Sequence, residues 1–299
     1  MHQHLSSRSV SSPRSRAGRR SVALVLALAG LAGCDRSTSS ATASTYNGSF
    51  ALPGKTQKAD ATLRASFTTP TAAHLDIVET AKANGATIIR YDVDMTKRLH
   101  MIVISDDFTS FQHVHPALDK NGHFTIDLDV PAPGRYLIYA DGVPHGLGQQ
   151  VFRFDVPFGS NTAATPNLGT TPTTVVTGPY AVTLSSLKLD AGETSMLTVK
   201  ITKAGKPAED LQPYLGGAGH AVFIGASDDS YIHVHPMAGT DMSSMSMEMG
   251  EMKDLPDSAK VDPAMMLHVA VPKAGTYKLW FQFRGGGQLY VAPFVLTAG

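Results

Sequence analysis

A single cysteine, Cys34, and a single tryptophan, Trp280, serve a chain of 299 residues. One cysteine excludes any disulfide within the chain. Charge is sparse, at 17% of residues, and balanced at 25 basic against 25 acidic. With no basic stripe along the chain, nucleic acid is not expected as a partner. No apolar run reaches the roughly 20 residues that a membrane-crossing helix needs. Long stretches of 3.6-residue periodicity are missing, which argues against helix as the main element. No G-x-S-x-G or comparable nucleophile–base pattern occurs, so catalysis is not expected.

The N-terminus is organised for export rather than folding. Residues 1–20 carry Arg8, Arg14, Arg16, Arg19 and Arg20 and no acid. The apolar run V-A-L-V-L-A-L-A-G-L-A-G (22–33) follows, and its length suits a signal-peptide core. It ends in Leu31-Ala32-Gly33-Cys34, which resembles the lipobox of bacterial lipoproteins. That resemblance implies cleavage before Cys34, lipidation of its thiol and a membrane-anchored place in the cell envelope, facing the periplasm or exterior. Loss of residues 1–33 would leave 20 basic and 25 acidic residues. Residues 34–45, rich in Ser, Thr and Ala, read as a flexible tether.

The body of the chain is duplicated. His113-Val114-His115-Pro116 recurs as His233-Val234-His235-Pro236, and His100 and His220 each stand 13 positions ahead of the first His of a pair. V-P-A-P-G-R-Y (130–136) matches V-P-K-A-G-T-Y (271–277). A period of about 120 residues is domain-sized. Short runs rich in Val, Ile, Thr, Phe and Tyr alternate with Gly/Pro turns. That pattern predicts an all-β protein of two tandem immunoglobulin-like antiparallel β-sandwich domains. The boundaries are 46–158 and 175–299, joined by a Thr/Pro-rich linker over 159–174 that should be extended and mobile. Tyr136 and Tyr277 are expected to plug the corner between sheets. The second copy carries 21 extra residues after its histidine pair, within a methionine-rich stretch over about 237–266.

In a strand, residues i and i+2 share a face. His113 and His115 therefore point the same way, as do His233 and His235. A hairpin brings His100 and His220 onto those faces, opposite either the first or the second His of the pair, depending on the turn. Three imidazoles on two adjacent strands suit copper or zinc. Met242, Met245, Met247, Met249 and Met252 alternate with Ser, Glu and Gly, where a core would not accept them. Thioether sulfur prefers Cu(I). Copper is thus the expected metal, Cu(I) ahead of Cu(II), with zinc behind both.

Several resemblances bear on the same residues. Methionine clusters of this kind are similar to those of extracytoplasmic copper-handling proteins. The closing hairpins resemble those of bacterial copper-resistance sandwich domains, in which a D-G-H loop supplies a copper ligand. That implies a ligand role for His145, two residues displaced in A-D-G-V-P-H-G (140–146). Phe111–Pro116, Tyr214–His220 and Tyr231–Pro236 resemble motifs of a group of bacterial secreted and lipoprotein sequences. The expected function is copper buffering, sequestration or delivery outside the cytoplasm, with a copper transporter or cuproenzyme as partner. The alternative is an adhesion or scaffold lipoprotein whose histidines are structural. A third, enzymatic reading rests on the H-x-H of cupins and copper–zinc dismutases. Asp119 has the cupin carboxylate spacing, but Gly239 replaces it in the second copy.

Overall fold

The computed structural model describes residues 42–238 and 254–299. The arginine-rich N-terminal residues, Cys34 and the methionines Met242, Met245, Met247, Met249 and Met252 lie outside the described residues. In chain order the first domain comprises β1 (Thr42–Asn47), β2 (Ser49–Phe50), β3 (Ala59–Thr69), β4 (Ala72–Ala81), β5 (Tyr91–Asp92), β6 (Leu99–Ser105), β7 (Phe111–Val114), β8 (Ala117–Leu118), β9 (His123–Asp129), β10 (Gly134–Pro144) and β11 (Gln150–Phe158). One sheet runs β1-β3-β4-β9-β8 and the other β2-β11-β10-β6-β7, with β5 also paired to β10. The two hairpins of the first sheet and the β11-β10-β6-β7 run of the second match an immunoglobulin-type sandwich. β1 begins inside the stretch expected to be tether. Its Thr and Tyr residues suit a strand, and they find an open edge on β3, with Tyr46 opposite Leu63.

The second domain repeats the plan. Its strands are β12 (Thr174–Thr177), β13 (Tyr180–Leu184), β14 (Lys188–Leu189), β15 (Thr194–Lys203), β16 (Lys206–Pro207), β17 (Leu211–Gln212), β18 (His220–Gly225), β19 (Tyr231–Val234), β20 (Met237–Ala238), β21 (Ala264–Ala270), β22 (Gly275–Gly285) and β23 (Gln288–Ala298). The sheets run β12-β13-β15-β21-β20 and β14-β23-β22-β18-β19. Both corner tyrosines do what the sequence implied. Tyr136 donates to the Ala132 carbonyl at 2.8 Å and Tyr277 to the Lys273 carbonyl at 2.9 Å.

The feature that positions the site is the face each second sheet turns away from its own core. Every residue of β6 and of β18 is buried. Leu99, Met101 and Val103 enter the first core, and Ala221 and Phe223 enter the second. The alternate residues Ile102 and Ile104 meet Val222, Ile224 and Trp280 in a third apolar cluster between the domains. Strands buried on both faces read as continuous apolar runs, as L-H-M-I-V-I-S and H-A-V-F-I-G do here.

The linker is pinned at four places between Ala164 and Thr171, contrary to the mobility its composition suggests. Ala164 N donates to the Asp106 carboxylate at 2.9 Å and Asn167 N to the Asp107 carbonyl at 2.6 Å. Leu168 packs into the inter-domain cluster, its carbonyl taking Lys278 Nζ at 3.2 Å. Val295 N donates to Thr171 Oγ1 at 2.8 Å. Composition gave no sign of this because most of the partners, Asp106, Asp107, Lys278 and Val295, lie outside the linker itself.

Candidate metal centre

Hairpin register places the histidines. Met101 pairs with Val114 and Ala221 with Val234. One step further along, His100 faces His115 and His220 faces His235, the wider of the two turns that the sequence allowed. All six rings lie on the faces turned towards the other domain. His100 sits 5.2 Å from His113 and 5.1 Å from His115, ring centre to ring centre. His220 sits 5.3 Å from His233 and 4.5 Å from His235. The two trios meet across the seam, with His100 5.2 Å from His233 and His113 5.4 Å from His220. One nitrogen from each of His100, His113, His220 and His233 falls within 4.8 Å of the others. The spacing in sequence announced two trios; the structure joins them into one cluster.

Their partners assign the tautomers. His100 Nε2 lies 3.0 Å from the Asp94 carbonyl and His220 Nε2 3.0 Å from the Tyr214 carbonyl. A carbonyl only accepts, so both Nε2 atoms carry the proton and both Nδ1 atoms present a lone pair. His233 Nδ1 lies 3.4 Å from Asp141 Oδ2, and His113 Nδ1 2.7 Å from Gln282 Oε1. As Gln282 and Asp141 are placed, these oxygens also accept, which assigns a lone pair to Nε2 of each ring. The consequence is unusual. His100 Nδ1 and His113 Nε2 are 3.0 Å apart, as are His220 Nδ1 and His233 Nε2. In each trio two lone pairs converge with no proton between them, the arrangement that a shared cation resolves. Nearby, the ring Nε2 atoms of His115 and His235 are buried without a hydrogen-bond partner among the described residues.

The backbone is bent to hold this. Asp94 and Lys97 exchange two backbone hydrogen bonds around Met95 and Thr96, which have φ of 43° and 67°. Tyr214 and Gly217 do the same around Leu215 (φ 51°) and Gly216 (φ 78°). Two successive positive φ values make a type I′ turn, which disfavours non-glycine residues. Three of the four are not glycine, yet both turns are kept, and both aim a carbonyl at the upstream histidine. At Gly219 a Cβ would come within 2.7 Å of the Gln282 carbonyl, so only glycine lets β18 approach β22 there.

The supporting side chains are exchanged between domains. Asp141 pairs with His100 in register and Gln282 with His220. The two therefore hold matching positions, and each bonds a histidine of the opposite domain. Asp141 also accepts from Gln149 Nε2 at 2.8 Å and Tyr231 OH at 3.0 Å. Burial raises the Asp141 carboxyl above its ordinary range. Burial, reinforced by neighbouring imidazoles, holds His113, His220 and His233 well below the usual histidine value. It brings His115 and His235 down to about 3. These five imidazoles are neutral at pH 7, the form that binds a metal. A carboxylate behind a ligating imidazole raises its basicity. Asp141→Asn is therefore expected to weaken metal binding roughly 10–100-fold with little change in fold, measured by chelator competition; an unchanged affinity would remove Asp141 from the site.

The other candidates stand apart. His145 Nδ1 bonds Asp92 at 2.7 Å with both side chains about half exposed, outside the cluster. His74 and His123 pair with Asp127 and Asp76. Asp119 caps its own turn, accepting from Asn121 N and His123 N at 2.8 Å. Sequence reasoning did not find Asp141, Gln282, Tyr231 or the two turn carbonyls. Aligning the copies through their final hairpins would have set Asp141 against Gln282, two buried polar residues in otherwise apolar strands.

A family model described as "Domain of unknown function (DUF8832)" matches residues 55–158 and 173–299, the two sandwiches. No curated protein matches the chain.

Proposed function

We propose, for a chain that belongs to the DUF8832 family and spans its two matched segments, that the histidine seam binds copper in an envelope protein that buffers, sequesters or delivers it. The observation that carries this is the pair of converging lone-pair contacts, His100–His113 and His220–His233, each at 3.0 Å. Neutral imidazole suits zinc, copper, iron and nickel alike. Copper is favoured by the thioethers of Met242, Met245, Met247, Met249 and Met252, which follow β20 directly in sequence. His100, His113, His220 and His233 would hold the metal, with His115 and His235 in reach. Asp141, Gln282 and the two turn carbonyls would orient them. Bound copper would supply a redox-active, soft cation; the chain supplies neutral imidazoles held in place by fixed partners. A lipid on Cys34 would tether the protein to the membrane, with a copper transporter or cuproenzyme as its exchange partner.

Chelator competition with Cu(I), Cu(II) and Zn(II) tests this. Binding that is tightest for copper and lost on replacing His113 and His233, with the fold intact, is the expected result. Deleting residues 239–253 is expected to lower Cu(I) affinity more than Cu(II) affinity. Equal losses would remove the methionines from copper handling. The scaffold reading draws on the His113–Gln282 and His233–Asp141 bonds, which also clasp the domains. It predicts that His→Ala changes separate or unfold the domains and that no metal binds.

A further inference from the structure

The seam has the donors for two metal ions rather than one. We propose that each domain's trio, His100/His113/His115 and His220/His233/His235, takes its own ion, giving a paired centre across the interface. This rests on the metal-binding reading above and adds its stoichiometry and ligand sets. Three observations carry it. First, the closest lone-pair contacts, at 3.0 Å, are both within a domain, between His100 and His113 and between His220 and His233. Two ligands about 2.0–2.1 Å from a tetrahedral ion stand roughly 3.3–3.4 Å apart, so each pair needs only slight opening to accept one. Second, a single ion held by four histidines would leave His115 and His235 unused, although among the described residues their buried Nε2 atoms have no partner. Their rings sit 4.8 Å and 4.7 Å from His113 and His233, at the third corner of each trio. Third, each trio is anchored in the same way. One ring is fixed by a turn carbonyl and one by a side chain from the opposite domain.

The two halves differ in one respect that bears on order of loading. His233 is backed by the Asp141 carboxylate, whereas His113 is backed by the neutral Gln282 amide. The second domain's trio should therefore fill first.

Cu(II) is the probe, because thioether sulfur disfavours it and the methionine-rich segment will not inflate the count. Titration of the full chain should saturate at two equivalents of Cu(II). The doubly loaded protein should give the half-field paramagnetic resonance signal of two neighbouring Cu(II) ions. His115→Gln and His235→Gln should each bind one equivalent and lose that signal. Either variant alone suffices if the other fails to fold. Saturation at one equivalent, unaffected by both variants, would overturn the paired centre while leaving a four-histidine metal site. Two equivalents without the half-field signal would overturn the pairing. No binding would overturn both.

Discussion

Trp280→Ala is expected to cost about 3–5 kcal/mol and to uncouple the two domains, so that one thermal transition becomes two. Trp280 is 4% exposed and belongs to the inter-domain cluster, not to either sandwich core. Its ring stacks on Phe111 of the other domain at 5.0 Å and 14°. The matching position in the first domain is Tyr139, which stacks on Tyr231 at 5.0 Å and 20°. The seam is thus fastened by two aromatic stacks, one from each direction, flanking the histidines. Removing the larger opens a cavity that two packed sheets cannot collapse to fill. Calorimetry checks this. A single transition at the unchanged temperature would mean that the domains are held by the linker and histidines alone. Metal affinity should fall with it, since each trio borrows an orienting side chain from the opposite domain.

Glu79→Met is expected to stabilise the protein by a few kcal/mol at pH 8 and to flatten its stability above pH 5. Glu79 is fully buried in the first core, and among the described residues its carboxyl oxygens find no well-formed hydrogen bond, with only the Tyr91 hydroxyl close by. Register sets it in the place that Ile201 takes in the second domain. Burial pushes its carboxyl from 4.5 up to about 8. The sign follows from linkage. Below pH 4.5 the group is protonated both folded and unfolded, and stability is at its full value. Between 4.5 and 8 the unfolded chain ionises while the folded one does not. Stability is therefore lost as pH rises through that window, by up to about 1.4 kcal/mol per unit. Denaturant unfolding from pH 4 to pH 9 reads the slope, and wild type and variant running parallel would contradict it.

The sandwiches were legible because strand alternation and the P-x-x-G-x-Y corner are local signals, and the duplication doubled each of them. The trios were legible because i, i+2 and hairpin register are also local. Their union was not. That His100 approaches His233 depends on which sheet faces turn towards each other, and no spacing within one copy records this. The clue lay in β6 and β18, whose runs are too uniformly apolar for a strand with one wet face. Asp141 stayed hidden for the same reason, since its partner His233 lies 92 positions away in the other domain. The linker misled because its Thr and Pro residues describe what it cannot bury, not the partners in both domains, Asp106, Asp107, Lys278 and Val295, that hold it.

Copper-edge X-ray absorption on the protein loaded with one equivalent tests the central claim most directly. Histidine ligation in the seam predicts a shell of nitrogen neighbours at about 2.0 Å with imidazole outer-shell scattering, lost in the His113→Ala/His233→Ala variant. A shell made of sulfur at about 2.3 Å, or copper that stays bound unchanged in that variant, would place the metal elsewhere and leave the six histidines as architecture.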